Sequence, residues 1–330
     1  MSSCFPETET VRTALSLASR APSVHNTQPW RWRVGDESLH LYAEPALQLR
    51  HTDPDSRDLI ISCGAALNHC SLALAALGWQ SKIRRFPDAA DPYHLASIEM
   101  KRWTPSEVDV ALAAAIPRRR TDRRRYSSWP VAHGDVALMG ARAARAGVTV
   151  RRVEAAADLK TLLADAVYEH VNDADYLVEL AMWSGRHAAT AGVPARNTPV
   201  PESDAQIPGR VFAGPVLAQP VGTSVEDDHG ILLALGTVED DALARLRAGE
   251  ATSLVLLTAT AVGMATCPLT EALEITATRD AIQAEVFGLD AFPQMLIRIG
   301  WAPVNADPLP ATPRRALMDV ATMLDGSAIP

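Results

Sequence analysis

The chain has 330 residues, 48% hydrophobic and 21% charged, with a formal net charge of −8. It can bury one large α/β core or two ordinary ones, which excludes disorder throughout, and its acidic balance excludes general nucleic-acid binding. Four cysteines without a CxxC pair indicate no disulfide framework and a reducing compartment.

The first residues lack a basic and apolar leader, and the most apolar stretch, 251–265, is too short and too rich in Thr and Ser to span a bilayer. The expectation is a soluble, cytoplasmic protein with no membrane partner. The sequence has no Gly-x-Gly, so the dinucleotide fingerprint is missing, and no G-x-S-x-G elbow. Histidines lack H-x-x-x-H spacing, and Asp227-Asp228-His229 reads as a solvated loop. No metal site is expected.

In chain order, residues 14–19 end a short amphipathic helix stopped near Pro22. Residues 30–34 and 39–42 alternate as strands around Gly35-Asp36-Glu37, a hairpin. Residues 64–77 form a helix of small apolar residues, and 95–100 a strand. Residues 148–153 read as a strand, 159–183 as a broken helix and 231–238 as a buried strand. Residues 251–262 form a second apolar helix, and 295–299 a strand.

Two pieces repeat. Gly64 and Gly78 bracket one apolar helix and Gly249 and Gly263 the other, each pair 14 residues apart. A Pro-x-x-Leu-x-x-Ile strand follows each, at Pro92/Leu95/Ile98 and Pro293/Leu296/Ile299, with an insertion between helix and strand in the second copy. Helices apolar on nearly all faces must be buried, so the two are expected to pack together at the centre of a fused pseudo-dimer. Its halves are 1–112 and 113–330. Residues 184–230, dense in Pro and Gly, form a lid-like insertion or a plain surface excursion.

Four local features carry polar chemistry. In 21–32, Pro22 and Pro29 bracket a turn of Ser, Asn, Thr and Gln, followed by Trp30; this suits a loop holding a planar polar ligand against a sheet. Residues 118–125 hold six arginines, whose forks match phosphate, and Thr121 adds a hydroxyl. Thr312-Pro-Arg-Arg315 adds two more cations. Residues 263–271 follow the second buried helix, turn at Pro268 and leave backbone N–H groups for a ligand.

Together these residues resemble the FMN-dependent nitroreductase family, most closely its fused, double-length, Acg-like branch of dormancy-associated actinobacterial flavoproteins. Residues 22–30 (Pro-Ser-Val-His-Asn-Thr-Gln-Pro-Trp) are similar to its P-S-x-x-N-x-Q-P-W signature and 119–123 to its phosphate motif. Residues 264–271 resemble its loop facing flavin N5, and Arg314-Arg315 its C-terminal phosphate arm.

The resemblance implies an α+β nitroreductase-like fold: a central, mainly antiparallel sheet with flanking helices, and two fused halves mimicking a homodimer. It implies one FMN per chain, because neither half carries a second copy of its motif. Implied cofactor-binding residues are Pro22, Ser23, His25, Asn26, Gln28, Arg119, Arg120, Thr121, Arg123, Leu269, Thr270, Glu271, Arg314 and Arg315. Arg119, Thr121 and Arg315 hold the phosphate end, and Arg123 the N1/O2 edge. No side chain is expected to be catalytic.

The implied activity is NAD(P)H-dependent reduction of a small electron acceptor, such as a nitro compound or quinone. The alternative is an FMN-sequestering or sensing protein with a covered flavin. A functional monomer is expected, and further dimerisation stays open.

Overall fold

A computed structural model describes residues 5–153, 156–185, 190–202 and 205–330. Helix α1 (Thr8–Ala18) leads to strands β1 (Trp30–Val34) and β2 (Ser38–Ala43), then to α2 (Arg57–Ala76), β3 (Trp79–Arg85) and β4 (His94–Arg102). After α3 (Glu107–Ala115), the same succession begins again with α4 (His133–Ala144) and β5 (Thr149–Arg152). Helices α5 (Ala156–Val171) and α6 (Ala174–Trp183) and a long irregular segment come before β6 (Ile231–Thr237). Then follow α7 (Ala242–Ala261), β7 (Ala265–Leu269), α8 (Glu271–Glu274), α9 (Thr276–Ile282) and β8 (Phe292–Gly300). The chain ends with α10 (Leu317–Val320) and β9 (Ala321–Met323).

The two sheets have the same order. The first runs β3-β4-β2-β1 and the second β7-β8-β6-β5, with every pair in these runs antiparallel. The expected α+β architecture, with antiparallel sheets and flanking helices, is present, as two sheets rather than one. The C-terminal strand β9 crosses back and joins the first sheet, parallel to β1. The boundary expected at 112/113 falls inside α3.

Helices α2 and α7 have equal length, 20 residues, and end alike, at a left-handed glycine: Gly78 at φ +87° and Gly263 at φ +94°. Only glycine adopts this conformation freely. Their other glycines meet at the crossing. A Cβ on Gly64 would lie 2.1 Å from the Leu246 carbonyl oxygen, and one on Gly249 would lie 2.0 Å from that of Ile61. The backbones therefore touch. Helix α2 is long and apolar enough to cross a membrane by length and composition, yet 67% of its apolar window is buried inside the protein. Asp53 satisfies its first turn, its carboxylate accepting from the N–H groups of Asp58 and Leu59.

Several expectations need correction. The two central helices begin seven and nine residues earlier than their apolar runs suggest, with the polar Arg57 and Asp58 at one start and Arg245 at the other. Strand β3 was not anticipated: it lies at the sheet edge with Lys82, Arg84 and Arg85 interrupting the alternation. Because β3 and β7 each directly follow their helix, the extra residues expected between helix and Pro-x-x-Leu-x-x-Ile strand in the second copy fall between β7 and β8. Residues 265–269 form strand β7 rather than a loop. Helices α3 and α4 were not anticipated either, although Ser106 and Asp109 form a capping box at the start of α3.

Candidate functional site

A cavity of about 180 Å³ lies where the halves meet. Its wall draws Pro22, Ser23 and His25 from the loop before β1, and Asp58, Ile61, Ser62 and Ala65 from α2. Thr252 from α7 and residues 267–271 of β7 and α8 face them. Thr121 and Arg123 line it as well, as do Met295 and Arg298 of β8. Thr121 is placed by a bridge to Thr266, where the Asp122 N–H donates to the Thr266 carbonyl.

The loop at 22–28 is strained. His25, Asn26 and Gln28 have φ of 44°, 55° and 55°, in the left-handed region that side chains disfavour. Its amides hold the shape. The Asn26 Nδ2 donates to the carbonyls of Gly192 and Pro313, and the Gln28 Nε2 to that of Thr190. The Gln28 Oε1 accepts from the Arg315 N–H at 2.8 Å. Both amides are thus engaged in binding the insertion and the C-terminal arm to this loop. Trp30, which follows this loop and starts β1, is fully buried in the core of the first half.

Next to the cavity lies a smaller pocket lined by Arg20, Arg119, Arg120 and Arg314, with Thr312 and no carboxylate among its lining residues. Burial, then the charges of Arg120, Arg20 and Arg123, hold Arg119 down to about 10. Burial, then Arg119, Arg20 and Arg120, hold Arg314 down to about 9. The Nε atoms of Arg119, Arg120 and Arg314 are buried without a hydrogen-bond partner. Four guanidiniums with no carboxylate beside them among the described residues, and with orphaned donors, fit an anion, phosphate above all. The Arg119 Nη1 stands 3.5 Å from the Thr121 Oγ1, so the pocket and the cavity adjoin through that pair.

Arg315, expected in this cluster, points elsewhere: its Nη2 donates to the Asp319 carbonyl at 2.9 Å. Arg314 occupies the pocket instead, with Arg20 from the turn after α1. The remaining arginines of 118–125 are paired or turned away. Arg124 forms a buried ion pair with Asp122 at 2.9 Å, and Arg125 pairs with Glu202. Asp228 does not lie in a solvated loop: it is buried and ion-paired with Arg298.

The insertion closes one side of the cavity. Pro199, Pro201, Ile207, Pro208, Arg210 and Phe212 are in its wall. Arg123 lies over the Phe212 ring, 4.8 Å from its centroid, and donates to the Asn197 carbonyl. Arg210 pairs with Glu274 at 2.5 Å. Residues 186–189 and 203–204 of the expected lid lie outside the described residues. Sequence reasoning missed Arg20, Asp58, Ser62, Arg210 and Phe212. Only the density of proline and glycine in 184–230 marked the segment that supplies the last two.

No protein-family profile matches the chain. Curated relatives do. It is 62% identical to "Putative NAD(P)H nitroreductase Rv3131" of Mycobacterium tuberculosis over 320 residues, 97% of this chain and 93% of that protein. It is 37% identical to "Putative NAD(P)H nitroreductase acg" of the same organism over 323 residues, covering 95% of each chain. The FMN-dependent nitroreductase NfnB of Mycobacterium smegmatis, solved with NADPH, superposes with a TM-score of 0.38 at 17% identity, over 64% of this chain and 97% of that chain. That superposition is too loose to carry weight; the two full-length relatives suffice, and the chain belongs to the nitroreductase family, in the branch that contains Rv3131 and Acg.

Proposed function

We propose that the chain is an FMN-dependent NAD(P)H oxidoreductase acting on a small acceptor such as a quinone or nitro compound. The observation that carries this is the pairing of a cavity between the halves with an adjoining pocket of four arginines that has no carboxylate beside them among the described residues. A flat ring with a phosphate tail fits both at once. FMN, when bound, supplies hydride acceptance from the nicotinamide and delivery to the acceptor.

The chain's residues hold and tune it. Arg20, Arg119, Arg120 and Arg314 take the phosphate, and Thr121 adds a hydroxyl between pocket and cavity. Arg123 presents a half-buried cation to the cavity. In so dry a wall, a fixed cation favours the negative charge that accompanies reduction. Thr270 caps α8 and Glu271 is its first residue, so their N–H groups have no acceptor within the helix and remain available to the ring. The insertion and the α2–α7 core exclude water.

One cofactor per chain follows from what fills the other half. At the 185-residue offset that separates α2 from α7, the counterpart of Ala65 is Glu250 and that of Thr270 is Arg85. These two form a forked ion pair at 2.9 Å. Two halves of one topology in one chain support a working unit of one chain, with further dimerisation open.

A second reading is FMN sequestration, favoured by the insertion forming part of the cavity wall and being tied down through Arg210. Anaerobic addition of NADPH to the purified flavoprotein separates the two. Bleaching within seconds supports turnover. A spectrum that resists NADPH but yields to dithionite supports sequestration. A colourless protein that cannot be reconstituted with FMN refutes both.

A further inference from the structure

His25 is a buried polar group to which the reading above gives no task, and Arg210 sets its state. Arg210 comes from the insertion, and its side chain is 7% exposed. Its Nη1 donates to the His25 Nε2 at 2.8 Å and to the Tyr176 hydroxyl at 2.5 Å. Its Nη2 donates to the Thr270 Oγ1 at 3.3 Å and to the Glu274 Oε1 at 2.5 Å. A guanidinium has five N–H donors and no acceptor. The ring nitrogen facing it must therefore offer a lone pair, so the His25 Nε2 carries no hydrogen. A neutral imidazole with a bare Nε2 carries its hydrogen on Nδ1.

The ring is neutral for reasons visible around it. Burial, and then the positive charges of Arg210 and Arg123 and the nearby His170, hold its pKa well below the usual histidine range. Arg210 is fixed in turn, since Glu274, with a side chain 1% exposed, holds it, and the Tyr176 that it contacts is stacked on His170 at 3.9 Å. The Nδ1 atom is buried and has no hydrogen-bond partner among the described residues, and His25 is part of the cavity wall. A buried N–H without a partner is rare in folded proteins. Here it sits on a loop whose backbone is held in a strained conformation.

We propose that Arg210 is a positioning residue that locks His25 as the Nδ1–H tautomer, and that this neutral N–H donates a hydrogen bond to an uncharged oxygen of the acceptor held in the cavity. Quinone carbonyl and nitro oxygens are of this class. Of the two arginines that act on the ring, Arg210 is taken up by Glu274, and Arg123 lies over Phe212 and donates to the Asn197 carbonyl. The choice of acceptor class rests on the oxidoreductase reading, whereas the tautomer does not.

Long-range 1H–15N spectra of the 15N-histidine-labelled holoprotein, with the His25→Gln variant to assign the signal, read the tautomer directly. The expected result is a neutral ring protonated on Nδ1. An Nε2–H ring or an imidazolium at neutral pH overturns the proposal. Arg210→Met combined with Glu274→Gln removes both buried charges together and so avoids stranding a carboxylate. This double variant is expected to give a tautomer mixture, while Arg210→Lys, another donor without an acceptor, restores Nδ1–H. A pure Nδ1–H ring in the double variant refutes the role of Arg210.

For the ligand, tryptophan fluorescence gives the dissociation constant of benzoquinone. His25→Phe is expected to weaken binding roughly two- to tenfold, and an unchanged constant refutes the donor role. The NMR result stands whether or not the protein turns over or holds a flavin, so failure of the tautomer and failure of the oxidoreductase reading are told apart.

Discussion

Placing a methyl group at the crossing of the two central helices tests the fold and the site together. In Gly249→Ala the new carbon would lie 2.0 Å from the Ile61 carbonyl oxygen and 2.8 Å from the Gly64 Cα. Both obstacles are backbone, so no rotamer change relieves them, and α2 and α7 must separate by about 1 Å to restore van der Waals contact. Overpacking of this kind costs about 3 kcal/mol at the upper end of its usual range. Alanine's better helix propensity returns about 1 kcal/mol. The net loss is about 2 kcal/mol, which for a chain of this length lowers the Tm by about 3 °C.

Scanning calorimetry on the wild type, Gly64→Ala, Gly249→Ala and the double variant measures this. The double variant is expected to lose less than the sum of the singles, by more than about 0.5 kcal/mol, because the first methyl already opens the space needed by the second. Flavin retention falls too, since Asp58, Ile61, Ser62 and Ala65 on α2 and Thr252 on α7 all line the cavity. A Tm that rises as propensity alone dictates, with additive singles, would falsify the close crossing.

Other outcomes follow from the site. Arg314→Met is expected to lower protection of the flavin-free protein by inorganic phosphate about ten- to a hundredfold, the worth of a charge-assisted hydrogen bond. Arg315→Met, whose side chain lies outside the pocket, is expected to leave it nearly intact; equal losses in thermal-shift titrations contradict the placement. Burial pushes Asp53 up to about 7 and Asp58 up to about 6, with repulsion from Asp58 added at the first and from Glu274 and Asp55 at the second. Folded values above the unfolded one mean stability that is fully present below about pH 4 and lost as pH rises through 6–7. Relative to wild type, Asp58→Asn is therefore expected to gain stability from pH 5 to pH 8, and parallel denaturation curves at the two pH values argue against it. Arg123→Ala is expected to keep its phosphate anchor yet make the flavin harder to reduce, and an unchanged potential in redox titration removes Arg123 from the ring's electrostatics.

Much of this protein is written locally. The matched glycines of the two apolar helices, the hairpin at Gly35 and the Pro-Ser-Val-His-Asn-Thr-Gln-Pro-Trp run all follow from spacing, because helix burial and turn chemistry act over a few residues. The pocket of Arg119, Arg120 and Arg314 was half legible, since an arginine run proclaims charge but not direction. Only the fold decides that Arg314 faces inward while Arg315 turns to Asp319, or that Arg20 joins them from α1.

Long-range packing decided the rest. Strand β9 pairs with β1 across almost the whole chain. The Pro- and Gly-rich insertion reads as irregular in sequence because its partners, Asn26, Gln28 and Glu274, belong to distant segments. The state of His25 lies furthest from the sequence: its tautomer is set by an arginine 185 positions away, a contact that exists only once the insertion has closed against the first half.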